Sequence, residues 1–455
     1  MLNSALTDLR NKMLKRQMVI NENFYLREGC RLIKGASKGA IYDLIGKNIY
    51  SVDIKLIEIL ERASKVEKIL ELARERDITK QEIMSQIETL HRLGLGFFNK
   101  KDIYISPFRS EIEIGINPKR LRTLICRIEN RCNLRCQHCP STDLWITNCF
   151  CFCSADTRQK MKVSEWEKII SEAYWIGCEN IKIIGGEPFL SDAFDRLLLF
   201  LKKMRFKNIL LYTNGTISPK KWLRILTEIN PILMVPIHSS EPEIHDQIAG
   251  VNGSYASLIE NIKVLKKASI DVRSYIILQK ANIGHIRKII NFVRDALKID
   301  YYIDNFNFEL LDDDINAKNI NYLFKMRPRC NEISLENFTA RIVGNKCWLN
   351  NLAIDINGDV IPCIKAKNFV LGNTRESSVK EIINNNRIDE YWYLNKDKIE
   401  TCRQCEFRYA CDDCRLNAFK YAGRIDSRYP FCSYDPLKGQ WNQALPVACN
   451  VRREI

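Results

Sequence analysis

The chain has 455 residues, 46% of them apolar and 27% charged, with only 19 glycines and 13 prolines. That length suits about three domains of ~150 residues, and the composition excludes collagen-like and Pro/Gly-rich disordered classes. No apolar run of roughly 18 residues or more occurs, and the N-terminal stretch lacks an apolar signal core, so a cytoplasmic protein with no membrane span is expected. The formal net charge is +15, which suits an acidic partner. There are 18 cysteines, and in a cytoplasmic setting these read as metal ligands or redox groups before disulfides.

Residues 20–100 open with short alternating stretches, FYLREGCRLIKGAS, GAIYDLIG and NIYSV, punctuated by Gly35, Gly39 and Gly46. Such punctuation predicts small antiparallel strands. A helical pattern, IKLIEILERASKVEKILELARER, follows with a break inside it. A second begins at Thr79 and Glu82, spaced as a capping box, places Ile83, Ile87 and Leu90 on one face and stops near Gly94. Strands followed by helices of this size predict a winged-helix-like module.

Residues 120–312 alternate between strand and helix. The strand candidates are LRTLICRIE, NIKIIGG, NILLYTN, ILMVPIH, VRSYIILQ and YYIDNFNFEL. Ser164 with Glu167, Ser191, and Ser218-Pro219 are expected to start the intervening helices. Six parallel strands in βα units predict an α/β fold, an open or partial barrel, because eight units would need about 250 residues. Residues 325–449 lose that rhythm and are rich in cysteine, a composition expected of a region held by metal clusters.

The sharpest motif is Cys132-Asn-Leu-Arg-Cys136-Gln-His-Cys139, directly after the first strand of the alternating region. Three thiolates on one tight loop can hold three irons of a 4Fe–4S cluster, and the missing fourth ligand leaves an open iron. The second motif, Gly185-Gly186-Glu187-Pro188, ends the next strand. Its glycines permit close backbone approach to a ligand, and Glu187 can accept from an ammonium group. Further along stand Cys347, Gly358 and Cys363, then the knuckles Cys402-x2-Cys405-x5-Cys411-x2-Cys414, then Cys432. Paired CxxC knuckles are metal signals, with zinc the default for an isolated ribbon.

Together, the cysteine loop and the GGEP element resemble the radical S-adenosylmethionine (SAM) superfamily over residues 120–312. The resemblance implies a partial (β/α)6 TIM-like barrel. It also implies a SAM-binding 4Fe–4S cluster on Cys132, Cys136 and Cys139, and reductive cleavage of SAM to a 5′-deoxyadenosyl radical. Gly185, Gly186 and Glu187 would serve the methionine amino end. Thr213-Asn214-Gly215 matches the family's TNG, Ser239 the ribose-contact position, and His138 stands where an aromatic residue usually lies beside adenine.

The later cysteines resemble a SPASM domain with two auxiliary 4Fe–4S clusters. Cys347, Cys363 and Cys414 are implied for the first, with Cys330 a candidate fourth ligand, and Cys402, Cys405, Cys411 and Cys432 for the second. The spacing before Cys414 is two residues, Asp412 and Asp413, where the family usually has three. The segment 149–153 alternates cysteine and phenylalanine; Cys149, Cys151 and Cys153 would share one face of an extended strand, and burial among the phenylalanines is the favoured reading. Cys30, Cys126, Cys178 and Cys449 default to packing.

The N-terminal module resembles a PqqD-like RiPP recognition element (RiPP: ribosomally made, post-translationally modified peptide), which binds a leader peptide as an added strand. These resemblances imply the organisation 1–105 winged-helix-like leader-recognition domain, 106–120 linker, 121–320 radical SAM core and 321–455 SPASM domain. They imply a peptide maturase that installs a thioether or carbon–carbon crosslink in a precursor peptide, with a reductase or flavodoxin-type electron donor and no membrane partner. The alternatives are maturation of a protein partner, of the quinone-cofactor or sulfatase type, and an iron–sulfur protein that binds nucleic acid. Ile364 stands where sulfatase-maturing relatives carry an Asp, which argues against formylglycine formation.

Overall fold

The computed structural model describes residues 21–105, 119–139, 159–303, 333–429, 432, 434–441 and 451–452. Cys149, Cys151, Cys153, Cys330 and Cys449 lie outside the described residues. The first elements are β1 (Asn23–Leu26), β2 (Cys30–Lys34), β3 (Lys38–Asp43), β4 (Asn48–Asp53), α1 (Ile54–Arg62), α2 (Val66–Arg74), α3 (Lys80–Arg92) and β5 (Gly96–Asn99). The expected break in the first helical pattern falls between α1 and α2. The expected capping box is present: the Glu82 backbone N–H donates to Thr79 Oγ1 at 3.2 Å, and the Thr79 backbone N–H donates to Glu82 Oε2 at 2.8 Å.

The alternating region follows: β6 (Thr123–Glu129), α4 (Val163–Trp175), β7 (Asn180–Gly185), α5 (Phe194–Met204), β8 (Asn208–Tyr212), α6 (Leu223–Ile229), β9 (Ile232–Pro236), α7 (Pro242–Ala249), α8 (Ser254–Lys267), β10 (Asp271–Ile276) and β11 (Asp300–Ile303). The C-terminal third adds α9 (Leu335–Val343), β12 (Asn351–Ile354), β13 (Asp359–Ile361), β14 (Gly372–Asn373), α10 (Arg415–Ala422), β15 (Tyr434–Asp435), β16 (Gln440–Trp441) and β17 (Val451–Arg452). Two sequence expectations change here. Ser191 lies two residues before the cap of α5, which is Ala193. Ser164 lies inside α4, and the cap is Lys162, whose extended backbone presents its N–H to Glu165 Oε2 at 2.6 Å.

The chain divides into two compact units. One holds residues 1–116, 321–347 and 394–455; the other holds 117–320 and 348–393.

In the first unit β2, β3 and β4 form an antiparallel sheet, with β17 parallel to β4. Side chains alternate across a strand, and here both faces are apolar. Ile41, Tyr50 and Val52 pack on Leu56, Ile57, Ile69, Ile83 and Leu90 from the three helices. Ala40, Tyr42 and Ile49 pack on Phe338, Phe407, Tyr409 and Tyr434 from the C-terminal third.

In the second unit the six strands β6 to β11 run parallel in chain order, as the alternating pattern predicts. The sheet continues past β6 into β12, parallel to it, and then into antiparallel β13 and β14. Arg127 on β6 and Asp355 just after β12 form a fully buried ion pair at 2.7 Å. The parallel strands deliver their C-terminal ends, and the loops that follow them, to one edge of the sheet, where ligands bind in open α/β sheets.

Candidate active site

The cysteine loop leaves β6 at Glu129 and is anchored twice. The Arg135 and Gln137 N–H groups donate to the carbonyls of Ala249 and Ile248, both at 3.0 Å, at the end of α7. Gly250 follows with φ +68°, and a Cβ there would lie 2.4 Å from the Arg135 carbonyl, so only glycine fits this approach. Behind the loop the buried Glu129 carboxylate accepts from Arg131 and from Lys160 at 2.6 Å. Burial works against its charge, but those two cations outweigh it and hold its pKa below the ordinary value.

Gly185 and Gly186 bring β7 against this loop. The Gly186 N–H donates to the Glu129 carbonyl at 2.8 Å and the Glu187 N–H to the Arg131 carbonyl at 2.8 Å. A Cβ on Gly186 would meet the Arg131 carbonyl oxygen at 2.2 Å, and one on Gly185 the Glu129 carbonyl oxygen at 2.6 Å. The close approach these glycines permit is therefore to the chain's own backbone.

Glu187 is completely buried. Its carboxylate accepts from the Phe189 N–H at 3.0 Å, the Thr213 hydroxyl at 2.9 Å and the Asn214 N–H at 2.7 Å. Burial pushes its pKa up to about 7 despite those donors. Asn214 in turn donates to Cys132 Sγ at 3.6 Å and to Asn133 Oδ1 at 2.8 Å. Glu187 thus ties the GGEP and TNG turns together, and Asn214 ties both to the first cysteine. Ser239 is buried after β9, where its hydroxyl accepts from the Glu241 N–H at 3.0 Å.

His138 is buried, and its Nδ1 lies 3.0 Å from Gln279 Nε2. Burial pushes its pKa down to about 4. Its ring packs edge-on at 4.9 Å against His238, which packs at 5.0 Å against His245. Ligand atoms of Cys136, His138 and His238 all lie within 4.8 Å of one another. Sequence reasoning did not single out His238, His245, Gln279 or Asn282, whose amide holds the carbonyls of His238 and Ile277 at 2.9 Å. A signal existed: the chain has only five histidines, and three of them stack here.

Among the described residues no cysteine is disulfide-bonded. In the first unit Cys402, Cys405, Cys411 and Cys432 come together. Burial is the main force raising the Cys402, Cys405 and Cys411 thiols, Cys411 to about 12, and neighbouring thiols of the set add to it. Lys396 opposes the rise at Cys402 and Cys411. Cys347 follows α9 and Cys414 caps α10, both in this unit; Cys363 follows β13 in the other. The two residues of the shortened knuckle are anchors. Asp412 is held by Arg341 at 2.7 Å, and Asp413 is buried between Lys396 and Arg415. Cys30, Cys126 and Cys178 are buried, as packing residues should be.

The residues present suit a bound cluster and SAM. Three thiols share one anchored loop, and both ring nitrogens of buried His238 lack a hydrogen-bond partner. Residues 127–293 match the family described as the Radical SAM superfamily, and residues 347–406 match SPASM, an iron–sulfur cluster-binding domain. The chain is 26% identical over 316 residues to the antilisterial bacteriocin subtilosin biosynthesis protein AlbA of Bacillus subtilis, covering 65% of this chain and 68% of that protein. It is 24% identical over 343 residues to a cysteine-type anaerobic sulfatase-maturating enzyme of Clostridium novyi, covering 66% and 89%. Its fold is similar to that of Streptococcus suis SuiB bound to the precursor peptide SuiA, with a TM-score of 0.54 and 15% identity over 90% of this chain and 99% of that one. No helix among the described residues is long and apolar enough to cross a membrane. Residues 127–293 therefore form a radical SAM domain, which binds SAM and a 4Fe–4S cluster, and residues 347–406 a SPASM domain, which binds auxiliary iron–sulfur clusters.

Proposed function

We propose that this enzyme modifies a ribosomally made precursor peptide, installing a thioether or carbon–carbon crosslink after its N-terminal module binds the leader. The observation that carries this reading is the strand-then-helix module of β2–β4 and α1–α3 ahead of the radical SAM domain. The similarity to a subtilosin biosynthesis protein supports it. The leader would add as a strand to the β2–β4 sheet, main-chain bonds giving affinity and side-chain pockets selectivity. Tethering would raise the effective concentration of the core peptide at the site.

In this reading Cys132, Cys136 and Cys139 hold the SAM-binding cluster. Gly185, Gly186, Glu187 and Asn214 would shape the methionine end, Ser239 would contact the ribose, and His138 would flank the adenine. Held there, SAM would supply radical chemistry for hydrogen-atom abstraction from the peptide, with the electron coming from a reductase or flavodoxin-type donor. Cys402, Cys405, Cys411 and Cys432 would hold one auxiliary cluster, and Cys347 and Cys414 would serve the other. Burial and hydrogen bonding of Glu187 keep its carboxylate turned toward Thr213 and Asn214, so its task is to hold the two turns around the ligand.

The test is 5′-deoxyadenosine formation by anaerobically reconstituted, reduced protein, alone and with peptides encoded beside its gene, followed by mass spectrometry of those peptides. A Cys132→Ala/Cys136→Ala/Cys139→Ala variant is the control. A mass loss of two hydrogens in a peptide, absent in the control, is the expected result. Turnover with no change in any leader-bearing peptide, but with modification of a folded sulfatase or quinoprotein subunit, would replace this reading with protein maturation.

A further inference from the structure

The histidine stack contains one residue that the protein leaves chemically incomplete. His238 is 1% exposed, and neither Nδ1 nor Nε2 has a hydrogen-bond partner. Its neighbours are provided for: His138 meets Gln279, and His245 Nδ1 accepts the His238 backbone N–H at 3.3 Å. The backbone of His238 is fixed too, since Asn282 holds its carbonyl. A buried polar group without a partner is costly, and folds keep one where something else completes it.

The location says what that something is. His238 follows β9 at the sheet edge where the cysteine loop sits, its ring against His138 and one of its nitrogens within 4.8 Å of Cys136 Sγ. Neither nitrogen is hydrogen-bonded to that sulfur or to any other protein atom, so both can pair with a polar group of a bound molecule. A neutral imidazole offers one donor and one acceptor. Adenine offers both in return, through its exocyclic amine and ring nitrogens. Burial keeps His238 in this neutral form by pushing its pKa well down.

We propose that His238 is a SAM-binding residue that hydrogen-bonds the adenine base, and so completes the adenosine pocket whose other wall is His138. This rests on the radical SAM domain binding SAM, and goes beyond it by assigning a residue and a part of the ligand. The imidazole acts by binding, not by proton transfer.

The experiment is equilibrium dialysis of SAM against the reconstituted full chain, with iron content and the electron paramagnetic resonance signal of the reduced cluster recorded on the same samples. The variants are His238→Phe, which keeps a ring and removes both polar atoms, and His238→Gln, which restores a donor and an acceptor. His238→Phe should keep wild-type iron and cluster signal but bind SAM about tenfold more weakly, one good hydrogen bond to a buried ligand being worth about that factor. His238→Gln should recover most of the loss, and methionine alone should bind all three proteins equally. Should the Phe ring disturb cluster loading, His238→Leu carries the same comparison. Wild-type SAM affinity in a cluster-loaded Phe or Leu variant would overturn the assignment, as would an equal loss for methionine. Failure of the wild type itself to bind SAM would instead overturn the proposed function.

Discussion

The Tyr42 hydroxyl donates to the backbone carbonyl of Glu406 at 2.8 Å, joining strand β3 to the loop between Cys405 and Cys411. Two more bonds run alongside: the Ala36 N–H donates to the Gln404 carbonyl at 2.8 Å, and Arg408 Nη1 to the Lys34 carbonyl at 2.8 Å. The β2–β3 hairpin and the cysteine knuckle are therefore parts of one folded body. Tyr42→Phe should lower stability by about 1 kcal/mol, read as a fall in the unfolding midpoint. Removing iron from the knuckle by chelation, or by Cys402→Ala/Cys405→Ala, should speed amide exchange across Cys30–Asp43. Unchanged exchange would mean that the hairpin folds without the knuckle.

Gly186→Ala should fail on steric grounds, because its Cβ would lie 2.2 Å from a backbone oxygen that cannot swing away. Overpacking of this kind costs about 1–3 kcal/mol or more, and the displaced cysteine loop should retain less iron. Gly284→Ala meets nothing within 4 Å and serves as the control. Equal iron content and equal stability in the two variants would contradict this.

Thr213→Val removes a hydroxyl that lies 2.9 Å from both oxygens of the buried Glu187 carboxylate. A buried acceptor left short of a donor costs about 1–3 kcal/mol. Thr213→Ser should retain the stability that Thr213→Val loses in denaturant titration; the same loss in both would assign the effect to the methyl group.

Lys396, Asp413 and Arg415 form a buried ion cluster beside the knuckle cysteines. Lys396→Met leaves Asp413 with a single cation and should destabilise the protein by about 3–5 kcal/mol, the usual cost of breaking a buried pair. Adding Asp413→Asn should recover part of that loss. A strictly additive double mutant would show that the two groups do not interact.

His245 is buried, and burial holds its pKa down to about 4, below its ordinary value. Between pH 6.5 and 4 the unfolded chain therefore binds the extra proton and the folded chain does not. Stability from this group is present above pH 6.5 and falls as the pH drops, by about 2 kcal/mol between pH 6.5 and 5. His245→Phe should flatten the pH dependence of the unfolding midpoint over that interval. An unchanged slope would exclude His245 as the source.

Local pattern made much of this protein readable. The six strands of the alternating region appear where apolar runs end in turn residues, because strand period and turn chemistry act over a few residues. The capping box at Thr79 was legible for the same reason. The cap of α4 was not: Ser164 and Glu167 have the right spacing, but Lys162 and Glu165 have it too, and the backbone geometry at Lys162 decided between them. The spacing of Cys132, Cys136 and Cys139 states a chemistry by itself, since three thiols so close in sequence must be close in space.

What the sequence determined alone, then, was the six strands of the alternating region and the cysteine, GGEP and knuckle motifs, all set by patterns among near neighbours along the chain. Tertiary structure decided the rest. Residues 351–354 pair with 123–126 and extend the sheet, across more than half the chain. The N-terminal sheet carries a second apolar face, seen only once Phe338, Phe407 and Tyr434 are found against Tyr42. His138, His238 and His245 meet although they come from separate loops and helices. No periodicity encodes such meetings; they arise because parallel strands bring loops distant in sequence to one edge of a sheet, and burial there leaves both nitrogens of His238 without a hydrogen-bond partner from the protein.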